Sequence, residues 1–233
     1  MRPSKRFKKA SDGLDLQKNY GLEEAIGLVK SRTSTKFNES VDIAVRLGID
    51  PKKQDQMVRG TVNLPHGTGK KVRVLVFCKG EKEEEARSAG ADYVGLDDLV
   101  AKINEGWLDF DATVATPDTM PVVGRLGKIL APKGLMPSPK TKTVTFDIAP
   151  TVQALKAGQI SYRTDKTGNV HALVGKAAFE PQQLVENVLA FMAELARGKP
   201  ASAKGQFIKK VVLSSTMGPA VRVEPREFIG GAR

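Results

Sequence analysis

Two strand-like runs in this chain follow different periodicities, and one kind of sheet cannot hold both. Residues 41–47, VDIAVRL, place Val41, Ile43, Val45 and Leu47 on one side and Asp42, Ala44 and Arg46 on the other. A period of two marks a strand with one face in a core and one in water. Residues 72–77, VRVLVF, are almost continuously apolar, as expected of a strand covered on both faces. The chain therefore has to build two different sheets.

The flanking pattern assigns residues to each. Residues 1–13 form a basic leader whose start is expected to be mobile. Residues 21–32 read as an amphipathic helix, with Leu22, Ala25, Ile26 and Val29 at i, i+3, i+4 and i+7. Residues 50–53 are a turn, and residues 58–64 a second strand broken by Pro65. Beyond Pro65 the chain alternates strands and helices: strands at 72–77, 93–95 and 112–116, helices at 81–89, 96–104 and 122–130. An Asp near its start is expected to cap the second of these helices. Residues 131–140 hold three prolines and a glycine, which excludes regular structure. Residues 143–146 are extended, and residues 148–157 form a helix that stops at Gly158. Strands at 159–163 and 170–174 follow, joined by a hairpin turn over 164–169. A strong helix spans 181–197, with Pro181 in its first turn. A strand begins at Phe207 and a short one covers 221–223.

The expected fold is thus α+β at the two ends, interrupted by an α/β insert. Residues 1–66 and 159–233 make one discontinuous α+β domain, and residues 67–158 an inserted, Rossmann-like three-layer α/β domain. Two chain crossings form a double tether, with hinge positions at Gly67, Gly69 and Gly158.

Charge follows the same division. Residues 1–66 carry 13 Lys and Arg against 8 Asp and Glu, and residues 159–233 carry 11 against 6, so the ends together hold +10. Residues 67–158 carry 13 against 12, or +1. A cationic body of this kind attracts polyanions, and nucleic acid leads the partner classes. A generally basic protein is the plainer alternative. No apolar run is long enough to span a bilayer. One cysteine, Cys78, allows no internal disulfide, and with two histidines a dedicated zinc site is not expected. No cofactor is expected.

Residues 207–218, FIKKVVLSSTMG, change character midway. An apolar strand start gives way to Ser214, Ser215 and Thr216, then Met217, Gly218 and Pro219. Hydroxyls beside a bare glycine let a sugar-phosphate backbone approach the main chain; an ordinary strand end with a Gly-Pro turn is the plainer reading. Phe37, between Lys36 and Asn38, is suited to stacking on a base or to packing in a core. His171 reads best as a structural histidine. Gly67-Thr-Gly69-Lys70-Lys71 lacks phosphate-loop spacing and precedes a strand, not a helix. No GxGxxG follows the first strand of the insert.

The segments DQMVRGTVNLPHGTG, KGLMPSPK, YRTDKTGNVH and SSTMGP together closely resemble the L-one family of bacterial large-subunit ribosomal proteins, nearly end to end. The resemblance implies binding to 23S rRNA in the mobile stalk near the tRNA exit (E) site, with a part in releasing deacylated tRNA. It also implies repression of translation through the leader of the protein's own operon mRNA, a cytoplasmic, ribosomal location and a free monomer without membrane attachment. The family's RNA contacts fall on Lys36, Phe37, Ser40, Thr216, Met217 and Gly218, joined by Ser214 of the hydroxyl run, with Asp165, Lys166 and His171 as neighbours. The chain departs from the family at Ala131-Pro132 and Ser138-Pro139-Lys140, where Gly-Pro and Asn-Pro-Lys are usual. Lys142 stands where glycine is common. The rival expectation from another class is a nucleotide-dependent enzyme working through the insert.

Overall fold

A computed structural model describes residues 4–51, 53–80 and 82–228. Lys52 of the expected turn, Glu81 of the expected helix and residues 1–3 of the leader lie outside the described residues. In chain order the elements are α1 (Lys5–Ser11), β1 (Asn19–Tyr20), α2 (Leu22–Ser31), β2 (Ser40–Leu47), β3 (Arg59–Asn63), β4 (Val74–Phe77), α3 (Lys82–Ser88), β5 (Tyr93–Gly95), α4 (Asp97–Asn104) and β6 (Ala112–Ala115). After two short helical turns, α5 (Met120–Val123) and α6 (Gly127–Leu130), come α7 (Ile148–Ala157), β7 (Gln159–Arg163), β8 (Asn169–Lys176), α8 (Pro181–Arg197), β9 (Ile208–Ser215) and β10 (Val221–Val223). The chain divides into two compact units, Met1–Gly69 with Ile160–Arg233, and Lys70–Gln159.

In the first unit a five-stranded sheet runs β1-β10-β9-β2-β8. Its pairs are antiparallel except β1 with β10. β2 alternates buried and wetter positions along its whole length, as its sequence requires. Val41, Ile43, Val45 and Leu47 enter one core with Ile26 and Val29 of α2 and Leu184, Val188, Phe191 and Leu195 of α8. Each such side chain contributes about 1.5–3 kcal/mol when fully buried. α8 begins at Pro181, and Gln183 Oε1 accepts the Glu180 amide at 3.0 Å, closing the first turn. β3 and β7 pair apart, as a two-stranded sheet.

That last pairing corrects the expected hairpin. β7 and β8 belong to different sheets and meet only at an isolated bridge between Thr164 and Val170. The turn residues do close a loop, with the Asp165 amide donating to the Asn169 carbonyl at 2.8 Å. The strands diverge because β8 finds an eight-residue partner in β2. The basic leader contains a helix, α1, that its sequence did not announce.

In the second unit β5-β4-β6 form a parallel sheet. Leu75 and Phe77 of β4 face a core built from Leu99 and Ile103 of α4 with Val123, Leu126 and Leu130. Val74 and Val76 face the opposite core, with Ala86 of α3 and Ile148, Val152 and Leu155 of α7. Both faces are covered, so every β4 residue is buried, and Cys78 just beyond the strand is buried too. α7 ends at Gly158, whose φ of 107° is the left-handed cap that glycine adopts most cheaply. Asp111 clamps the start of the unit. It accepts from Lys70 Nζ at 2.6 Å and Arg73 Nε at 3.1 Å, and these bonds hold its carboxyl down at about 2.

Two expectations for this unit need correction. The expected helix at 122–130 is a run of short helical turns beginning at Pro117, and Gly124 and Gly127 fall at its internal junctions. Neither glycine favours a continuous α-helix. In α4 the N-cap is Leu96, with no side-chain cap bond, and Asp97 and Asp98 sit inside the first turn. There their charge favours the positive end of the helix dipole.

Candidate nucleic-acid interface

The start of β2 and the end of β9 come together at one end of the five-stranded sheet. Val41 pairs with Ser215, so the chain entering β2 runs beside the chain leaving β9. The Thr216 amide donates to the Ser40 carbonyl at 3.0 Å, and the Ser40 amide donates to Thr216 Oγ1 at 3.0 Å. Lys176, at the end of β8, donates from Nζ to Ser40 Oγ at 2.8 Å. Three strands thus converge on Ser40.

Beside them sits Glu39, a carboxylate only 1% exposed. An unpaired buried charge is costly, and this one is held entirely by hydrogen bonds. Oε2 accepts the Met217 amide at 3.0 Å, and Oε1 accepts the Thr35 hydroxyl at 2.8 Å. The same hydroxyl lies 3.1 Å from the Phe37 carbonyl. Burial pushes the Glu39 carboxyl up, but the Ser215 hydroxyl, the Met217 amide, the Thr35 hydroxyl and the Ser34 backbone outweigh it, and the value lies below the ordinary range. The Ser215 hydroxyl reaches that carboxylate loosely; its Oγ is buried without a partner in hydrogen-bond geometry.

The consequence is a ledge with two apolar side chains standing off a polar base. Phe37 is 55% exposed and Met217 is 39% exposed; the Met217 amide is bonded to Glu39, and the Phe37 carbonyl lies beside the Thr35 hydroxyl that the same carboxylate accepts. A large exposed aromatic on a fixed loop is a stacking platform for an unpaired base. Lys36 is exposed next to it. Gly218 keeps the turn open: a Cβ there would lie 2.4 Å from Ser215 Oγ.

The sequence-derived residues therefore fall in two groups. Phe37, Ser40, Thr216, Met217 and Gly218 gather on the ledge with Lys36, and Ser214 lies one residue inside β9, opposite Asp42. Asp165, Lys166 and His171 are not neighbours of it. β8 runs antiparallel to β2, so Lys176 meets Ser40 while Asn169 meets Arg46, six residues along β2; at about 3.3 Å per residue that is roughly 20 Å. His171 lies between, opposite Ala44. Asp165 turns its carboxylate mainly into its own turn, accepting the Thr167 and Asn169 amides at 2.8 Å each, with Oδ2 3.6 Å from His171 Nε2. Those bonds hold its carboxyl far below the ordinary range. Lys166 is exposed at the tip.

Glu39, Thr35 and Lys176 were missed by reading the sequence. The available signal was a lone acid in the polar run 33–40, directly before a strand. In the second unit, the first turn of α3 carries Glu83, Glu84 and Glu85, which opposes phosphate binding after β4.

Comparison with known proteins adds a family. The model described as "Ribosomal protein L1p/L10e family" matches residues 29–219. Among curated relatives, "Large ribosomal subunit protein uL1" of Thermobifida fusca (strain YX) is 56% identical over 225 residues, covering 97% of this chain and 96% of its own. The protein of the same name from Cutibacterium acnes is 56% identical, with 97% of each chain covered. That from Salinispora arenicola is 55% identical, with 97% and 94% covered.

Proposed function

The chain belongs to the ribosomal protein L1p/L10e family, and on that premise we propose that it is a non-enzymatic component of the large ribosomal subunit that binds 23S rRNA. Its place is the cytoplasmic ribosome, in the mobile stalk near the E site, where it assists release of deacylated tRNA. The same surface serves the leader of its own operon mRNA, so that free protein represses its translation. Residues 1–66 with 159–233 act as the RNA-binding domain. Residues 67–158 act as an insert that moves about Gly67, Gly69 and Gly158.

One observation carries the RNA assignment: the ledge on which Phe37 and Met217 stand exposed beside the buried Glu39 carboxylate, which accepts the Met217 amide and the Thr35 hydroxyl. It offers an aromatic face for a base, hydroxyls at Ser40 and Thr216 for ribose or phosphate oxygens, and Lys36 and Lys176 for the phosphate field. Asp165 acts by ordering its turn, which presents Lys166. The insert's acidic α3 turn gives a nucleotide-dependent enzyme no support.

The test titrates the full chain with a structured stalk fragment of 23S rRNA, with the same fragment altered in one loop, and with ATP. Tight binding of the first, weaker binding of the second and no saturable binding of ATP is the expected result. Phe37→Ala should weaken the first about 5- to 150-fold, given roughly 1–3 kcal/mol per stacked base. Equal binding of both RNAs would reduce the ledge to a non-specific polyanion surface.

A further inference from the structure

α1 is a helix without a core. Its seven residues, KRFKKAS, include four cations and no buried residue. A helix this short is marginal in water on its own, and burial contributes little here, since Phe7 and Ala10 are only half-buried. Two local devices hold it. Ser4 Oγ accepts the Phe7 amide at 3.2 Å, and Arg32, just past α2, donates from one terminal nitrogen to the Ala10 and Asp12 carbonyls at 2.6 and 2.8 Å.

Between α1 and the chain leaving α2 lies an open cleft of about 470 Å³. Arg6, Lys9 and Arg32 line it with the hydroxyl residues Ser31, Thr33 and Ser34, and among the described residues no carboxylate lines it. Among the described residues none of the three cations has an ion-pair partner. Like charges gathered without a counter-charge repel, and an anion in the cleft relieves that repulsion. The volume suits a nucleotide-sized group better than a lone small ion.

The cleft and the ledge are built on one stretch of chain. Residues 33–40 form the cleft wall at Thr33 and Ser34 and the ledge at Phe37 and Ser40. Glu39 lies in the same segment, and its carboxylate accepts the Thr35 hydroxyl and the Met217 amide. An RNA stacked on Phe37 would carry its sugar-phosphate chain along this segment toward α1.

We propose that the cleft between α1 and residues 31–34 is a second RNA-backbone site, in which Arg6, Lys9 and Arg32 hold phosphates of nucleotides flanking those on the ledge. It rests on the RNA-binding function proposed above. Its contribution is electrostatic and indifferent to sequence, whereas the ledge discriminates. α1 gains from the bound phosphates the stabilisation that burial does not give it.

The experiment uses the full chain and an Arg6→Gln, Lys9→Gln double variant. Both positions are exposed, and an unchanged Tm checks that the fold is kept. Each protein is titrated, across a series of salt concentrations, with the stalk transcript and with the loop-altered transcript. The double variant should bind the stalk transcript about 5- to 20-fold more weakly at low salt, with a log–log salt slope shallower by about 1–2, as loss of one or two phosphate contacts requires. Its preference for the unaltered transcript should stay the same. Unchanged affinity and slope with preference intact would overturn the cleft and leave the ledge standing. Loss of preference without a change in slope would also overturn it, since the two residues would then be acting through the ledge. Failure of the unaltered chain to prefer the stalk transcript would sink the specific RNA recognition on which the cleft rests.

Discussion

The amide of Met217 donates to Oε2 of Glu39 at 3.0 Å, across 178 residues of sequence. That bond fastens the turn after β9 to the segment carrying Phe37, and it is strongest with the carboxylate ionised. Because the folded carboxyl lies below its ordinary value of 4.5, its contribution to stability is fully present above that pH. The contribution is lost as pH falls through the lower folded value. Glu39→Gln keeps the shape and removes the charge. We expect it to cost about 1–3 kcal/mol at neutral pH and to flatten the loss of stability below pH 4.5, read from urea midpoints across pH. It should also weaken RNA binding, since the Met217 amide and the Thr35 hydroxyl lose their charged acceptor. A variant with the parent's midpoint at pH 7 would remove Glu39 from its central position.

Gly218 tests the same turn sterically. Its φ is not left-handed, so backbone strain is not the issue. An added Cβ would stand 2.4 Å from Ser215 Oγ but 3.6 Å from Ser215 Cβ. Gly218→Ala should therefore destabilise by about 1–2 kcal/mol, and Ser215→Ala in the same chain should recover most of that. The double-mutant cycle by thermal unfolding reads the coupling directly. Additive losses would mean the collision is with something other than that hydroxyl.

Asn187 on α8 is fully buried and satisfies three backbone groups. Nδ2 donates to the Gly67 and Val174 carbonyls at 3.0 and 2.8 Å, and Oδ1 accepts the His66 amide at 3.1 Å. It fixes the chain as it leaves the first unit. Nearby Gly69 has a φ of 70°, and a Cβ there would meet Phe179 and Lys176 carbons at 2.9 Å. Asn187→Leu, nearly isosteric, strands those partners, and we expect a loss of about 2–4 kcal/mol by denaturant titration. A loss within about 0.5 kcal/mol, typical of surface sites, would show that water replaces the amide.

Periodicity carried most of the fold. The alternation in β2 and the unbroken apolar run at β4 distinguished a half-wet sheet from a covered one, because side-chain period and burial are the same physical fact. Pro181 and Gly158 marked a helix start and a helix end to the residue. Pairing was less legible: β7 and β8 are adjacent in sequence and joined by turn residues, yet strand partners are chosen by long-range burial. α1 was invisible since its stability owes nothing to an apolar stripe. On the ledge, the hydroxyl-Met-Gly run and Phe37 stood out by composition. Glu39 did not, because a buried acid looks in sequence like any surface acid. Lys142 explains one departure from the family pattern: its φ of 55° is left-handed, the conformation for which glycine carries no Cβ penalty.

Thr216 separates scaffold from contact. Its Oγ1 accepts the Ser40 amide at 3.0 Å and lies 3.4 Å from the Ser40 carbonyl, yet the residue is exposed. The hydroxyl therefore closes the end of the β2–β9 ladder, accepting the Ser40 amide and donating a long bond to the Ser40 carbonyl, and leaves a lone pair toward solvent. Thr216→Val keeps the branched shape and removes both roles, whereas Thr216→Ser keeps the hydroxyl and removes a methyl. We expect the valine variant to lose about 0.5–1.5 kcal/mol of stability from the ladder bond and about 1–3 kcal/mol of RNA affinity if its ligand partner is left desolvated. The serine variant should stay within about 0.5 kcal/mol on both counts. Binding titrations at fixed salt, paired with urea midpoints, distinguish the two effects. Should valine cost stability alone, the hydroxyl is structural, and RNA recognition rests on the exposed Phe37 and Met217.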